Sequence, residues 1–316
     1  MVRATLSEPE IRQAIGVPGD GELVIEGVAP LGANEDSSLY FVNREISDAE
    51  RESLAQTSGC IVIVREGSPL AGELASCRVI ETADPRVAVA KVLELISELD
   101  RQKPWVEARE ISPDASVSPL AVLEGNVRIA DGVVIEPFCV VGPDVSIGSG
   151  SVVRSGTRLG PRVSIGEGSK VGANTVLGSD GFGYVYDKSG HKTLVRHLAG
   201  VIIGSHAEIG VLVIVQAGVL TPTVLEDHVK MGDGAGIGHG SRVGRGASLV
   251  GGAGLGGSVV IGEEAWIGMN ATVRTGRKVG SRAIVGMDVS VQDDLPDGAV
   301  ARAARPEVRA RRVRSS

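Results

Sequence analysis

Aromatic side chains, cysteines and long apolar runs are all scarce in this chain of 316 residues. The three cysteines, Cys60, Cys77 and Cys139, are odd in number and form no CxxC pair, which argues against a disulfide framework and against a thiolate metal site. A reducing cytoplasm fits that pattern. The opening residues MVRATLSEPE lack the apolar core of a signal peptide, and no uninterrupted apolar stretch is long enough to span a bilayer, so a soluble protein is expected. The formal charge is -7, without the concentrated basic surface that phosphate neutralisation needs, which argues against nucleic acid as the main partner. No glycine-rich phosphate loop with a following Arg or Lys opens the chain, so a nucleotidyltransferase domain is not expected.

What the chain has instead is glycine: 44 residues, without a collagen period, beside only 3% aromatics. That composition points to many tight turns. From Val117 an aliphatic residue recurs at every sixth position: Val117, Leu123, Ile129, Ile135, Val141, Ile147, Val153, Leu159, Ile165, Val171 and Leu177. The period returns at Ile203, Ile209 and Val215. It resumes after a short skip from Leu225 through Met231, Ile237, Val243, Leu249, Leu255 and Ile261 to Val291. Neither a helix nor an alternating strand has this spacing. A six-residue unit with one inward aliphatic and one turn is a short strand plus a corner. Three such units close a triangular coil, and stacked coils bury the aliphatics in a column. The spacing does not fix the hand of the coil.

Residues 1–108 lack the period and read as a small α/β domain. Leu23 to Val28 and Cys60 to Val64 are expected strands. Asp48 to Gln56 and Asp84 to Leu99 are expected helices, the second with Val87, Val89, Val92, Leu93 and Ile96 as its apolar stripe. A polar stretch with Pro104 and Pro113 joins it to a repeat domain at 112–300. A basic tail at 301–316, carrying Arg302, Arg305, Arg309, Arg311, Arg312 and Arg314, reads as a solvated end.

The break between the two repeat runs, 178–202, contains Gly178-Ser179-Asp180-Gly181-Phe182-Gly183-Tyr184, then Arg196-His197, and leads into Gly200-Val201-Ile202-Ile203-Gly204. This segment resembles the insertion loop of the UDP-3-O-acylglucosamine N-acyltransferases of lipid A biosynthesis. The likeness extends to Ile25-Glu26-Gly27-Val28-Ala29-Pro30-Leu31 and to Gly236-Ile237-Gly238-His239, and so covers nearly the whole chain. It implies a left-handed parallel β-helix with a small N-terminal α/β domain, acting as a homotrimer. The implied reaction moves an acyl group from acyl-CoA or acyl carrier protein to the amine of a nucleotide-linked amino sugar, with no tightly bound cofactor.

The same resemblance assigns roles. His239 matches the family's catalytic base, and the N-terminal domain is implied to hold part of the sugar nucleotide. The family's uracil pattern of aromatic, asparagine and aromatic reads Tyr40, Asn43 and Ile46 here, so stacking on one side is expected to be lost. Gln216-Ala217-Gly218 stands where the family has an acid-arginine-glycine segment, and Arg277 where it has a second functional histidine. The long C-terminal helix with which the family meets acyl carrier protein has no counterpart after the last repeat. Gly262 to Gly268, with Trp266, resembles instead the acetyltransferases that use acetyl-CoA. CoA thioesters are therefore expected donors, held by Trp266, Arg277 and Lys278.

In chemical terms, His239 follows the inward Ile237 by two residues and so sits on a corner, where an imidazole with an ordinary pKa near ~6.5 can accept the proton lost by an attacking amine. Backbone N–H groups at Gly256 and Gly257 are candidate oxyanion donors. Asp233, six residues before His239, is read either as orienting the imidazole or as a turn aspartate bound to its own backbone. Asp180, Phe182, Tyr184 and Gln216 are expected to shape the acceptor pocket and His197 to contact either substrate or the neighbouring subunit, while His191, His206 and His228 are read as solvated surface. Zinc hydrolysis is known on hexapeptide scaffolds, but it uses two histidines five residues apart, and no pair here has that spacing. Two alternatives stay open: the same reaction on an acceptor of a specialised pathway, and a non-catalytic β-helix that binds a sugar nucleotide.

Overall fold

The computed structural model describes residues 2–102 and 109–304. The junction at Pro104 and the tail arginines from Arg305 onward lie outside the described residues.

The N-terminal part is a five-stranded sheet in sequence order: β1 (Val2–Ser7), β2 (Val24–Val28), β3 (Ser38–Phe41), β4 (Cys60–Arg65) and β5 (Cys77–Thr82). The β1–β2 pair is antiparallel and the others are parallel. Helices α1 (Glu8–Ile15), α2 (Asp48–Gln56), α3 (Leu70–Glu73) and α4 (Pro85–Gln102) connect the strands. At the start of α2 the Ser47 hydroxyl accepts from the Glu50 N–H while the Glu50 carboxylate accepts from the Ser47 N–H, so two otherwise orphaned donors are satisfied. In α4 the expected stripe is partly right. Val92, Leu93 and Ile96 are fully buried against the sheet with Ala88 and Ala90, whereas Val87 and Val89 are only half-buried.

One expectation is overturned here. Cys60 and Cys77 are direct register partners on the parallel pair β4 and β5, with Cα atoms 4.9 Å apart, and they form a disulfide. Sequence spacing carries no sign of this, because it is strand pairing that brings the two thiols together. Cys139 is free and buried.

From Arg109 the chain forms strands of two to three residues, with four in Val176–Ser179, one per six-residue unit. Each pairs in parallel with the strand three units on, as in the series Ile129, Ile147 and Ile165. The result is three parallel sheets of 10, 9 and 9 strands, the faces of a triangular prism. It is a left-handed parallel β-helix. The period-six aliphatics form one continuous core down the prism axis. Buried hydroxyls run beside that column. Ser151 Oγ donates to Gly166 O at 2.8 Å and accepts from Ser169 N–H at 3.0 Å, and Ser169 repeats the pattern one coil on with Gly204 and Ala207. Each hydroxyl thus satisfies one carbonyl and one N–H that the short strands leave unpaired.

The insertion leaves the prism after strand Val176–Ser179, forms an antiparallel hairpin of Tyr184–Tyr186 with Lys192–Leu194, and rejoins at Val201. On its return Leu198 enters the core formed by α1, α4 and the N-terminal sheet, with Val195, Ala199, Val219 and Leu220 packed alongside. Two ion pairs cross the same boundary, Arg162 to Asp100 at 3.2 Å and Arg196 to Glu94 at 2.6 Å. Among the described residues no helix is long and apolar enough to cross a membrane.

Candidate active site

A corner of a three-sided coil repeats every eighteen residues, so His239, Gly257 and Thr275 stack along one edge of the prism. Above them the insertion loop folds back, and together they bound a cleft of about 500 Å³ lined by His239, Gly257, Thr275, Gln216, Phe182 and Ile214, among others. His239 is half-buried. Its backbone N–H donates to Gln216 Oε1 at 3.2 Å, and its carbonyl accepts from Ser258 N–H at 2.8 Å, which fixes the main chain on both sides of the side chain. Burial, and after it the neighbouring His197, push the His239 pKa below the ordinary value, so the ring is a neutral proton acceptor at pH 7.

Two glycines make the crowding possible. A Cβ on Gly257 would lie 2.5 Å from His239 Nε2. A Cβ on Gly181 would lie 2.7 Å from His197 Nε2, 2.9 Å from His239 Cδ2 and 3.0 Å from Gln216 Oε1. Only residues without a side chain let the loop and the next coil approach the imidazole so closely.

The donors around the cleft differ. Gly256 N–H is committed to Val273 O at 2.9 Å, so of the two expected oxyanion donors it is not available. Gly257 N–H makes no hydrogen bond among the described residues.

Asp180 lies behind this site. Its Oδ1 accepts from the His197 N–H at 2.9 Å and its Oδ2 from Arg196 at 3.1 Å. Burial alone would raise the Asp180 carboxyl, but the hydrogen bonds from His197 and Arg196 outweigh it and hold the pKa at about 2. Arg196 in turn clamps Glu94 of α4, with Nε at 2.6 Å and Nη2 at 3.1 Å. The hydrogen bond to Glu94 and the weaker one to Asp180 raise the guanidinium pKa further. Arg196 belongs to the loop segment that carries the family resemblance, but its pairing with Glu94 is not legible in the sequence, since the two stand far apart and Glu94 reads as a surface charge. Ile214 and Thr275 were also missed, although the eighteen-residue coil length places Thr275 directly in line with His239 and Gly257.

The remaining expected site residues are divided, some at this edge and others away from it. Asp233 is exposed on a different prism edge, where its Oδ1 accepts from Val211 N–H at 2.8 Å. Six residues amount to one face and not one coil, so within the chain it does not reach His239; its carboxylate ties its corner to the backbone of the preceding coil rather than to its own turn. Tyr40 is fully buried, and its hydroxyl both donates to Glu35 O and accepts from Glu35 N–H at 2.7 Å. It offers no ring surface for stacking a base. Asn43 and Ile46 instead line a separate groove of about 450 Å³ at the ends of β3 and β4, with Arg44, Arg65 and Leu70. Phe182 is 86% exposed, with Tyr184 edge-to-face against it at 5.3 Å, and it reaches the cleft rim. Trp266 is half-exposed on the sheet formed with Ser248 and Ile284, which is not one of the two faces meeting at the His239 edge. Arg277 and the exposed Lys278 follow Thr275 on that edge, Arg277 within 3.8 Å of Asp294. Among the described residues no three His, Cys, Asp or Glu side chains form a metal-binding group.

Residues 126–161 match the bacterial transferase hexapeptide (six repeats) family. The UDP-3-O-acylglucosamine N-acyltransferase of Leptothrix cholodnii is 40% identical over 235 residues, spanning 70% of this chain and 67% of that protein. The enzyme of the same name from Coxiella burnetii is 30% identical over 241 residues, 72% of this chain and 68% of that protein. This chain belongs to the UDP-3-O-acylglucosamine N-acyltransferase family. The solved UDP-N-acetylglucosamine acyltransferase of Francisella novicida aligns with a TM-score of 0.50 at 26% identity, covering 60% of this chain and 65% of that one. Within this N-acyltransferase, the departure at Gln216 is built into the site, because its side chain receives the His239 N–H.

Proposed function

We propose that the protein transfers an acyl group from a thioester to the amine of UDP-3-O-acylglucosamine or a close relative of it. The observation that carries this reading is His239: a neutral, half-buried imidazole facing a cleft, with its backbone pinned and the uncommitted Gly257 N–H one coil away. In this mechanism the acceptor nitrogen attacks the thioester carbonyl while His239 takes its proton. The oxyanion receives the Gly257 N–H. Collapse breaks the C–S bond, and the imidazolium returns the proton to the departing thiolate.

The donor is a phosphopantetheine thioester, acyl-CoA or acyl carrier protein, whose phosphates lie within the field of Arg277 and Lys278. Gly256 keeps a wall role and Phe182 shapes the acceptor side. The active form is a homotrimer in the cytoplasm. Exposed Trp266, Ile284 and Val300 follow one another on a single face, and such a strip supports burial against a neighbouring subunit. The test is direct. Purified protein is incubated with UDP-3-O-acylglucosamine and either donor, and mass spectrometry looks for an acceptor heavier by one acyl group. No product with either donor refutes the reading.

A further inference from the structure

His197 stands out among the groups the mechanism above does not use. Its side chain has no exposed surface, and among the described residues neither ring nitrogen has a partner at hydrogen-bond distance, Nδ1 coming no nearer than 3.6 Å to Asp180. A buried imidazole whose Nε2 is unpaired and whose Nδ1 has only a long contact to a carboxylate is costly and calls for a reason. Full burial also rules out the substrate contact expected of it from the sequence.

Its surroundings are specific. The His197 ring packs edge-to-face on His239 with centroids 4.8 Å apart. Its Nδ1 lies 3.6 Å from Asp180 Oδ1, the same atom that receives the His197 backbone N–H at 2.9 Å. Asp180 is held by Arg196, and Arg196 by Glu94 on α4. A continuous line of charged and polar contacts therefore runs from a helix of the N-terminal part, through the insertion, to the proposed base.

We propose that His197 is a positioning residue for His239, locked by the Asp180–Arg196–Glu94 chain, so that docking of the insertion on α4 sets the orientation of the base. The inference rests on the functional reading above. Three physical features support it. Among the described residues the His239 ring makes no side-chain hydrogen bond that would orient it, so packing, with His197 edge-to-face against it, limits its rotation. Gly181 lets His197, His239 and Gln216 converge on one point. The anchoring pairs are partly buried, Arg196 at 26% side-chain exposure and Glu94 at 30%, where ion pairs are screened less than on an open surface. Of the described groups that face His239, His197 is the titratable one. Asp180 and Arg196 lie behind it in the insertion, Gln216, Gly257 and Thr275 are uncharged, and Arg277 lies farther along the edge.

The test uses the full chain with His197→Leu, which keeps the volume buried, and Asp180→Asn, which keeps an acceptor for the His197 N–H. Both variants are expected to lose about ten- to a hundredfold in kcat, the cost of a misplaced catalytic group, with acceptor KM changed by no more than about twofold. In His197→Leu the His239 ring, followed by NMR titration and assigned by its loss in His239→Ala, is expected to titrate closer to an ordinary histidine. Should His197→Leu fail to fold, Asp180→Asn carries the kcat-against-KM readout alone. Unchanged kcat in the folded variants with an unmoved His239 titration overturns the proposal, and so does a rise in KM at constant kcat, which would make His197 a substrate contact. If the wild type turns over no acceptor, the functional reading fails, while the NMR titration still decides whether His197 governs His239.

Discussion

The rings of His197 and His239 meet edge-to-face at 4.8 Å, one fully buried in the insertion and the other half-buried on the prism edge. Because the two come from different parts of the chain, this ring contact exists only when the insertion is docked on the repeat core, and the insertion adds Phe182 to the cleft lining.

His239→Ala is expected to lower acyl transfer by roughly a hundredfold or more, the usual contribution of a general base. The core column does not include this side chain, so the thermal unfolding midpoint should stay within a few degrees of wild type. Near-normal turnover by the folded variant would remove His239 from the mechanism.

The pH dependence follows from the direction of the His239 shift. Its pKa lies below the ordinary ~6.5, so the base form persists to lower pH than an unperturbed histidine would allow. The kcat/KM profile should therefore be flat around neutrality and fall on the acid side with unit slope, with a midpoint under ~6.5. An acid limb centred above 7 would contradict this.

Gly257→Ala tests the crowding at Nε2. Its backbone does not need the left-handed region, but the new methyl would sit 2.5 Å from His239 Nε2 with backbone carrying it. The ring must move out of line, and activity should fall by about a hundredfold while the oligomer stays intact. A fully active Gly257→Ala enzyme would show that Nε2 does not work from this position.

Much of the prism was legible in the sequence, and the reason is local. The recurrence of Ile129, Ile147 and Ile165 in the core reflects a repeat that each unit satisfies within itself and with its neighbours a coil away. What escaped depends on longer closure. A six-residue count leaves Asp233 open between orienting His239 and a turn role, whereas contact across coils needs eighteen residues. Tyr40 was read as a ligand-facing aromatic because its motif says nothing about burial, and the Glu35 backbone satisfies its hydroxyl inside the core. The Cys60–Cys77 disulfide and the Glu94–Arg196 clamp arise from strand pairing and insertion docking, which leave no mark on spacing.

The strip of Trp266, Ile284 and Val300 makes the trimer testable. Placing a charge there, as in Ile284→Glu, adds a desolvation cost to each subunit contact without touching the inward core. Sedimentation equilibrium should show a shift toward monomer, with loss of activity in proportion. A wild-type protein that is a fully active monomer would sink the assembly altogether.

Arg277 offers the sharpest test of donor binding. It follows Thr275 on the edge that carries His239, and its nearest acid, Asp294, is 3.8 Å away and more than half-exposed, so the guanidinium is only weakly engaged. A phosphate can therefore recruit it without breaking a strong pair. Arg277→Ala should raise donor KM by about three- to tenfold, in line with the modest worth of one exposed charged contact, and leave kcat and acceptor KM nearly unchanged. Measuring both donors separates their routes. A larger effect on acyl-CoA than on acyl carrier protein would place the nucleotide phosphates at this edge, an equal effect would place the shared pantetheine phosphate there, and no effect on either would exclude Arg277 from donor binding. Truncation after Val300 repeats the comparison for the basic tail, where activity restricted to carrier protein would sink the expectation that CoA thioesters serve as donors.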